Sequence, residues 1–194
     1  AYGNGNRYPL DLTQAYAELR TFPMGPWRSR LKVVDFYAPI SLENWLVGWR
    51  SPYTLSFSAI NTWVGEELRT IGTEYDLDWL GRQRGYAWQL GLTASVFGWN
   101  DPAGTLMALR GWALSDRQTT LFGRIGEPGV GPVRGLREFY GNFDGRAGYY
   151  VGANANYRGE IELRALHYDN AANPAAYSSG LRAFAWHTLF DSAG

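Results

Sequence analysis

Cysteine is absent from the 194 residues, which excludes disulfides and cysteine-based metal sites. Lysine is almost absent as well: 17 of the 18 basic residues are arginine, and together they balance the 18 acidic residues to a net charge of zero. Without net charge there is no overall field to attract nucleic acid, so nucleic acid is not expected among the partners. No apolar stretch reaches about 18 residues, which excludes a transmembrane helix.

Aromatic residues and glycine are abundant. The chain holds nine tryptophans, 13 tyrosines and 24 glycines, and aromatic residues make up 16% of it. This composition is typical of a β-rich protein whose aromatic rings lie at a lipid boundary or on a sugar-binding surface. The length is enough for one domain with a sizeable core, so we expect residues 1–194 to form a single β domain.

A period of two dominates residues 86–99, "YAWQLGLTASVFGW". One parity carries Trp88, Leu90 and Leu92, and the other carries smaller or polar residues such as Thr93. Because successive side chains of a β-strand point to opposite faces, this pattern predicts a strand. Strands of soluble domains are mostly about five or six residues long, whereas a tilted strand needs ~9–11 residues to cross a bilayer. The predicted strand is long enough to do so.

The same alternation predicts further strands along the chain. Arg158-Gly159 supplies a two-residue hairpin turn between two of them. Strands do not alternate with helical patterns, so βαβ units are not expected. Two irregular stretches, residues 39–64 and 123–147, are long enough to be functional loops, placed at one end of a barrel or folded into its pore. In all we expect seven or eight antiparallel strands, drawn from residues 14–20, 28–39, 71–79, 86–99, 104–114, 149–157, 160–165 and 181–194.

Two architectures share this alternation, an antiparallel up-and-down β-barrel in a membrane and a soluble β-sandwich or jelly roll. In the sandwich the apolar faces pack against a second sheet. In the barrel they meet lipid, and tyrosine or tryptophan residues collect at the two water boundaries. Tyr149 and Tyr157 frame one apolar stripe in this way. In residues 86–99, Tyr86 and Trp88 fit one boundary, but Trp99 falls on the opposite parity from them.

Several stretches carry a family resemblance, namely "LTQAYAELRTFPMGPWRSRLKV", "FYAPISLEN", "GWRSPYTLSFSAINTWVGEELRTIG", "NDPAGTLMALRGWALSDRQTTLFG" and "HYDNAANP". Over nearly its whole length the chain resembles the bacterial outer-membrane porin-like proteins allied to the phosphate-selective porins. The resemblance implies an antiparallel transmembrane β-barrel in the bacterial outer membrane that passes small anionic solutes by passive diffusion. It also implies contact with the lipid bilayer and no cofactor, and it is compatible with a homo-oligomer, because porins of this kind are often trimers.

The length and the last residues bear on how much of a barrel is present. Porins of this kind are usually much longer, and "FDSAG" lacks the terminal aromatic residue that their insertion signals tend to carry. We therefore expect a substantial fragment of a larger barrel, or an eight-stranded closed barrel whose interior is filled by side chains. A fragment with open edges could not sit in lipid, because its backbone groups would be unsatisfied.

Inward arginines are the expected selectivity element of such a barrel, because rings of arginine or lysine favour anions. The alternative for each arginine is an ion pair with a carboxylate of a neighbouring strand, such as Asp76. The predicted lumen and selectivity residues are Arg20, Arg30, Arg110 and Arg164 on inward strand parities, and Arg117 and Arg124 on loops that fold inward.

The soluble alternative is a secreted or periplasmic β-sandwich or jelly roll that binds a glycan or hydrolyses it. Glycoside hydrolysis needs two carboxylates across a cleft, and Asp76 and Asp78 share one strand face two residues apart. They are the candidate catalytic pair of this alternative, whereas the porin-like interpretation has no catalytic residue. His167 and His187 stand in no metal-binding or nucleophilic motif, so no metal site is expected.

Overall fold

Nine β-strands make up most of the regular structure of the residues described. The computed structural model describes residues 12–23, 25–41, 43–45, 58–65, 68–101, 120–121, 141–179 and 183–194. Within these ranges helical structure is limited to short turns, and no helix has the length and hydropathy needed to span a bilayer. The strands are β1 (Ala15–Arg20), β2 (Trp27–Tyr37), β3 (Arg69–Trp79), β4 (Trp88–Gly98), β5 (Gly148–Tyr157), β6 (Ile161–Asp169), β7 (Tyr177–Ser178), β8 (Ala183–Phe184) and β9 (Leu189–Ala193).

Seven of the strands form one antiparallel sheet in the order β1-β2-β3-β4-β5-β6-β9, while β7 and β8 pair separately. This confirms the prediction of an all-β chain. The sheet is open: in the described part of the chain, β1 and β9 each have a partner strand on one side only. The predicted strand at residues 181–194 is divided between β8 and β9, and the one at residues 104–114 lies outside the described residues.

Short and long connections alternate, and each kind lies at one end of the sheet. Strands that are neighbours in the sheet follow one another along the chain, so their directions alternate. We call the two ends the short-turn end and the long-connection end. The short turns are residues 21–26, 80–87 and 158–160, and the long connections are residues 38–68, 99–147 and 170–188.

The turn between β5 and β6 has three residues rather than the predicted two. Arg158 and Gly159 both have left-handed φ angles, 54° and 82°. The Arg158 N–H donates to the carbonyl of Ala87 at 2.8 Å, which ties this turn to the neighbouring one. The predicted hairpin is therefore present with a loop one residue longer.

The number of strands decides how the sheet can close. Because the seven strands alternate in direction, β1 and β9 run parallel to each other. An up-and-down barrel joins antiparallel neighbours all the way round, so these two edges cannot pair directly within one. Closure into such a barrel requires an odd number of further strands.

The two faces of the sheet differ in chemistry and in burial. On β4, Leu92 and Val96 are 60% and 61% exposed, while Thr93 and Phe97 are 8% and 2% exposed. We call the first side the apolar face and the second side the polar face. The apolar face comprises Trp27, Ile71, Tyr75, Leu77, Trp79, Trp88, Leu90, Leu92, Ala94, Val96, Tyr149, Val151, Ala153, Ala155, Tyr157, Ile161, Leu163 and Ala165, and the polar face comprises Arg28, Arg30, Lys32, Glu74, Asp76, Asp78, Gly91, Thr93, Ser95, Tyr150, Asn154, Glu162 and Arg164.

The hydrophobic core lies on the polar side of the sheet, at the long-connection end. Ala38 and Ile40, from the connection after β2, belong there to one buried cluster with Phe97 and Tyr150. On the apolar face, by contrast, large side chains such as that of Leu92 remain exposed. This packing is the reverse of that in a soluble sandwich, which buries its apolar face against a second sheet.

Candidate functional site

The antiparallel register lines up the polar-face side chains in rows that run across the strands. Cross-strand neighbours on one face are close enough to interact directly. Three of these rows extend from β2 to β6. Counted from the short-turn end, the first of the three is Arg28, Asp78, Gly91, Asn154 and Arg164, the second is Arg30, Asp76, Thr93, Gly152 and Leu166, and the third is Lys32, Glu74, Ser95, Tyr150 and Tyr168.

Each row begins with an ion pair between a cation of β2 and a carboxylate of β3. The carboxylates become more buried toward the long-connection end, with side-chain exposures of 22%, 4% and 0% in the three rows. Exposed ion pairs contribute little to stability, whereas a buried charge needs its partner to offset the free energy lost on leaving water. The distances are 2.8 Å from Arg28 Nη2 to Asp78 Oδ2, 2.8 Å from Arg30 Nη2 to Asp76 Oδ2 and 2.6 Å from Lys32 Nζ to Glu74 Oε1.

Hydrogen bonds extend two of these pairs further across the sheet. Glu74 accepts a second bond from the hydroxyl of Tyr150, and Asp76 accepts one from the hydroxyl of Thr93. A buried carboxylate needs such partners to offset its loss of water. The polar face thus links β2, β3, β4 and β5 through side chains as well as through the backbone.

The predicted lumen arginines that the structure describes are all ion-paired. Arg30 pairs with Asp76 on the neighbouring strand, as the alternative interpretation expects. Arg20 and Arg164 pair instead with a glutamate two positions earlier in their own strands. The other three predicted residues lie outside the described part of the chain, namely Arg110, Arg117 and Arg124.

Asp76 and Asp78, the candidate catalytic pair, share the polar face as their spacing predicts. Each carboxylate is bound by its own arginine, Arg30 or Arg28, so both acids belong to the ion-pair rows. Their geometry gives no separate support to a hydrolytic role. Across the ranges described, no group of three or more histidine, cysteine, aspartate or glutamate side chains is placed to hold a metal ion.

Both histidines bind carboxylates on the side of the sheet that ends in β9. His167 Nδ1 lies 2.8 Å from Asp191 Oδ1, and its Nε2 lies 3.4 Å from the hydroxyl of Tyr149. His187 Nε2 lies 2.9 Å from Asp169 Oδ1. The first of these pairs interrupts the apolar side of the sheet next to its open edge at β9.

A cavity of about 290 Å³ lies over the first two rows of the polar face. Pro39 and Ile40, from the connection after β2, form part of its wall. Its size is near the lower end for small-molecule sites, about 300 Å³. Its polar lining includes Arg28, Arg30, Asp76, Asp78, Thr93, Asn154, Arg164 and Ser192.

Aromatic side chains gather at the short-turn end of the apolar face. Trp79 packs against Tyr86 with 5.3 Å between ring centroids, and Trp88 packs against Tyr157 at 4.9 Å. Beside them is an apolar hollow of about 640 Å³, lined mainly by leucine, alanine and tryptophan side chains of β2 to β6. Rings with an apolar body and a polar edge suit a boundary between apolar and aqueous surroundings.

Trp99 departs from the alternation of β4 at the long-connection end. Its side chain is 44% exposed, although Phe97 on the same parity and the adjacent Asn100 are 2% and 1% exposed. The cause is a left-handed backbone with φ of 59°, which is uncommon for a bulky residue. Gly141 holds this conformation by donating its N–H to the Trp99 carbonyl at 3.0 Å. An aromatic side chain is therefore exposed at this end of β4 as well.

Asp101 lies beside this corner and is nearly fully buried. Burial raises the pKa of its carboxyl, the Phe143 N–H that donates to Oδ2 at 2.6 Å lowers this pKa, and the Asp144 carboxylate raises it again, with a net upward shift. Because the folded-state pKa lies above that of the unfolded chain, protonated Asp101 favours folding. This contribution is lost as the pH rises through the folded-state pKa.

Sequence reasoning misses Arg28, Lys32 and Glu74 as members of the site. A signal for them is present, because basic residues occupy every second position of residues 28–32 and acidic residues every second position of residues 74–78. In an antiparallel pair two such sets meet with opposite charges face to face. The position of Asn154 has no comparable signal, since it depends on the register of strands distant in the chain.

Comparison with known proteins finds no relative: no protein-family model, no curated protein and no solved structure matches the chain. Function is therefore inferred from the chemistry of the two faces. A site on the polar face and a large exposed apolar face must be explained together.

Proposed function

We propose that this sheet forms part of the wall of a porin-like β-barrel in the bacterial outer membrane, a passive conduit for small anionic solutes. The observation that carries the proposal is the inverted packing, with leucine, valine and aromatic side chains exposed on one face and charged side chains buried on the other. Hydrocarbon is a good solvent for the first face, and water is a poor one. No catalytic residue and no cofactor enters the proposal.

The extent of the apolar face supports a lipid bilayer as its partner. Tyr75, Leu92, Val151 and Leu163 are each about half exposed or more and lie on four neighbouring strands. Soluble monomers rarely expose a contiguous apolar patch larger than a few hundred Å². Contact with lipid acyl chains would remove the free-energy cost of exposing this face to water. The His167–Asp191 pair lies at the β9 edge, where a further strand of the barrel would flank it.

Strand length and connections also favour a barrel wall. The strands β3 and β4 have 11 residues each and β5 has 10, which matches the ~9–11 residues of a tilted membrane-spanning strand. Short turns at one end and long connections at the other are usual in outer-membrane barrels. Because β1 and β9 run parallel, the proposed barrel contains an odd number of strands beyond these seven.

Anionic solutes are proposed because arginines outnumber carboxylates in the cavity lining. Arg28, Arg30 and Arg164 line it together with Asp76 and Asp78, while Glu162, the ion-pair partner of Arg164, is not part of the lining. Passages lined by arginine or lysine favour anions. Arg110, Arg117 and Arg124 remain predicted contributors from residues outside the described ranges.

Planar-bilayer recordings of the reconstituted full chain test the proposal. We expect stepwise conductance and, in a KCl gradient, a reversal potential that indicates preference for chloride. Arg164→Gln is expected to lower the chloride-to-potassium permeability ratio roughly two- to fivefold, because it removes one positive charge beside the passage.

Arg84→Gln is the matched control, since Arg84 is exposed in the turn between β3 and β4, away from the cavity. This variant should keep the reversal potential of the unchanged protein. Absence of any conductance from folded, inserted protein would contradict the conduit. Equal shifts of the reversal potential in Arg164→Gln and Arg84→Gln would contradict the proposed effect of Arg164 on anion preference.

A further inference from the structure

We infer that the cavity over the first polar row binds a small anion that also carries hydroxyl groups, the class to which sugar acids belong. This inference rests on the proposed function, because it names the solutes that such a passage retains. The groups that carry it are Asp78 and Asn154, which lie next to Gly91, and Arg164, the cross-strand neighbour of Asn154.

Gly91 leaves a notch in the polar face of β4. A Cβ atom at this position would lie 2.5 Å from Asn154 Nδ2 and 2.9 Å from Asp78 Oδ1. The amide of Asn154 and the carboxylate of Asp78 therefore occupy the space above the glycine from the two neighbouring strands. A larger residue at position 91 would push these two groups out of place.

Both groups keep hydrogen-bonding capacity toward the notch. The two bonds from Arg28 to Asp78 end on Oδ2, at 3.2 and 2.8 Å, while Oδ1 is the oxygen beside Gly91. Among the residues described, the side-chain amide of Asn154 has no hydrogen-bond partner. A carboxylate oxygen next to an amide nitrogen suits a hydroxyl group, which donates to the first and accepts from the second.

Arg164 gives the site its anionic specificity. It is the cross-strand neighbour of Asn154 and lines the same cavity, where its side chain is 25% exposed. Its guanidinium binds Glu162 of its own strand through Nε and Nη2. Because a guanidinium has five N–H donors, it can also form charge-assisted hydrogen bonds to a solute carboxylate, which are among the stronger hydrogen bonds in proteins. The solute thus has its carboxylate at Arg164 and a hydroxyl group between Asn154 and Asp78.

Hydroxyl groups distinguish this solute from a plain carboxylate. An alkyl chain over the notch would displace water from Asp78 Oδ1 and from the Asn154 amide without replacing its hydrogen bonds. Leaving such groups unpaired costs affinity. Asp78 would also repel an anion that had no hydroxyl to offer it.

Binding of gluconate to the full chain in detergent micelles tests the inference, with hexanoate as the six-carbon carboxylate that lacks hydroxyl groups. Isothermal titration should show gluconate binding at least about tenfold more tightly, the effect of one well-made hydrogen bond or more. Gly91→Ala and Asn154→Leu should each weaken gluconate binding by a similar factor. Gly98→Ala is the matched control, because its new Cβ would have its nearest neighbour 3.9 Å away.

Circular dichroism and thermal unfolding identify any variant that fails to fold, and two notch variants are used so that one remains informative. Equal affinities for gluconate and hexanoate, or unchanged gluconate affinity in the folded notch variants, overturn the inference. Because binding is measured in solution, its outcome is separable from conductance. Selective gluconate binding without conductance contradicts the proposed function, whereas conductance without gluconate selectivity contradicts this inference alone.

Discussion

Leu92→Arg is expected to destabilise the protein in bilayers or micelles by about 2–4 kcal/mol, the cost of arginine on the lipid face of a membrane barrel near its midplane. Leu92 is 60% exposed and lies in the middle of β4, between the aromatic band at the short-turn end and the start of the long connection. At an exposed position in water the same replacement would change stability by no more than about 0.5 kcal/mol. Urea unfolding of the protein in phospholipid vesicles measures the difference in free energy of unfolding between Leu92→Arg and the unchanged protein.

Gln89→Arg is the control for this prediction. Gln89 lies on the same strand but on the polar parity, so its replacement adds the same charge to the other face. We expect it to change the free energy of unfolding by less than about 1 kcal/mol, as for other surface charges. Similar effects of the two variants would mean that the two faces of β4 do not meet different solvents.

Lys32→Met is expected to lower the free energy of unfolding by about 3–5 kcal/mol, because it leaves a buried carboxylate without its cation. Lys32 Nζ lies 2.6 Å from Glu74 Oε1, and the Glu74 side chain is 0% exposed. Among the residues described, the hydroxyl of Tyr150 would then be the remaining side-chain donor to Glu74. Equilibrium unfolding in denaturant, compared with the unchanged protein, gives this value.

Two further variants make the test specific to the buried charge. Lys32→Met combined with Glu74→Gln removes both charges and should recover most of the lost stability, since the hydroxyl of Tyr150 can still donate to the amide oxygen. Arg28→Met breaks the more exposed pair with Asp78 and should cost less than about 1 kcal/mol. The double variant could prove as unstable as Lys32→Met, or Arg28→Met could lose as much stability as Lys32→Met. Either result would contradict the explanation that the burial of Glu74 causes the loss.

The period of two was sufficient to predict most strands of the sheet, because the pattern depends only on the geometry of a single strand. It fails where backbone conformation changes. In β2, Val34 has φ of 97°, and the next three residues are all buried, which no alternation predicts. The side chain of Trp99 also departs from the alternation, because its φ angle is positive as well. Whether a sheet closes is beyond such a pattern, because barrels and sandwiches both alternate.

Parity placed Arg30 and Arg164 on the polar face but did not predict their partners. On one strand face, residues two positions apart lie about 6.6 Å from each other, within reach of arginine. Arg164 therefore takes Glu162 from its own strand, while Arg30 takes Asp76 across the ladder. The notch at Gly91 could not be predicted, because it forms only when three strands are in register.

The oligomeric behaviour of the purified full chain with and without detergent tests the central claim most directly. Size-exclusion chromatography with light scattering should show folded protein carrying a belt of bound detergent, and aggregation once the detergent is removed, because the apolar face has then lost its solvent. A monodisperse, folded protein in plain buffer would contradict the assignment of that face to lipid, and with it the proposed conduit.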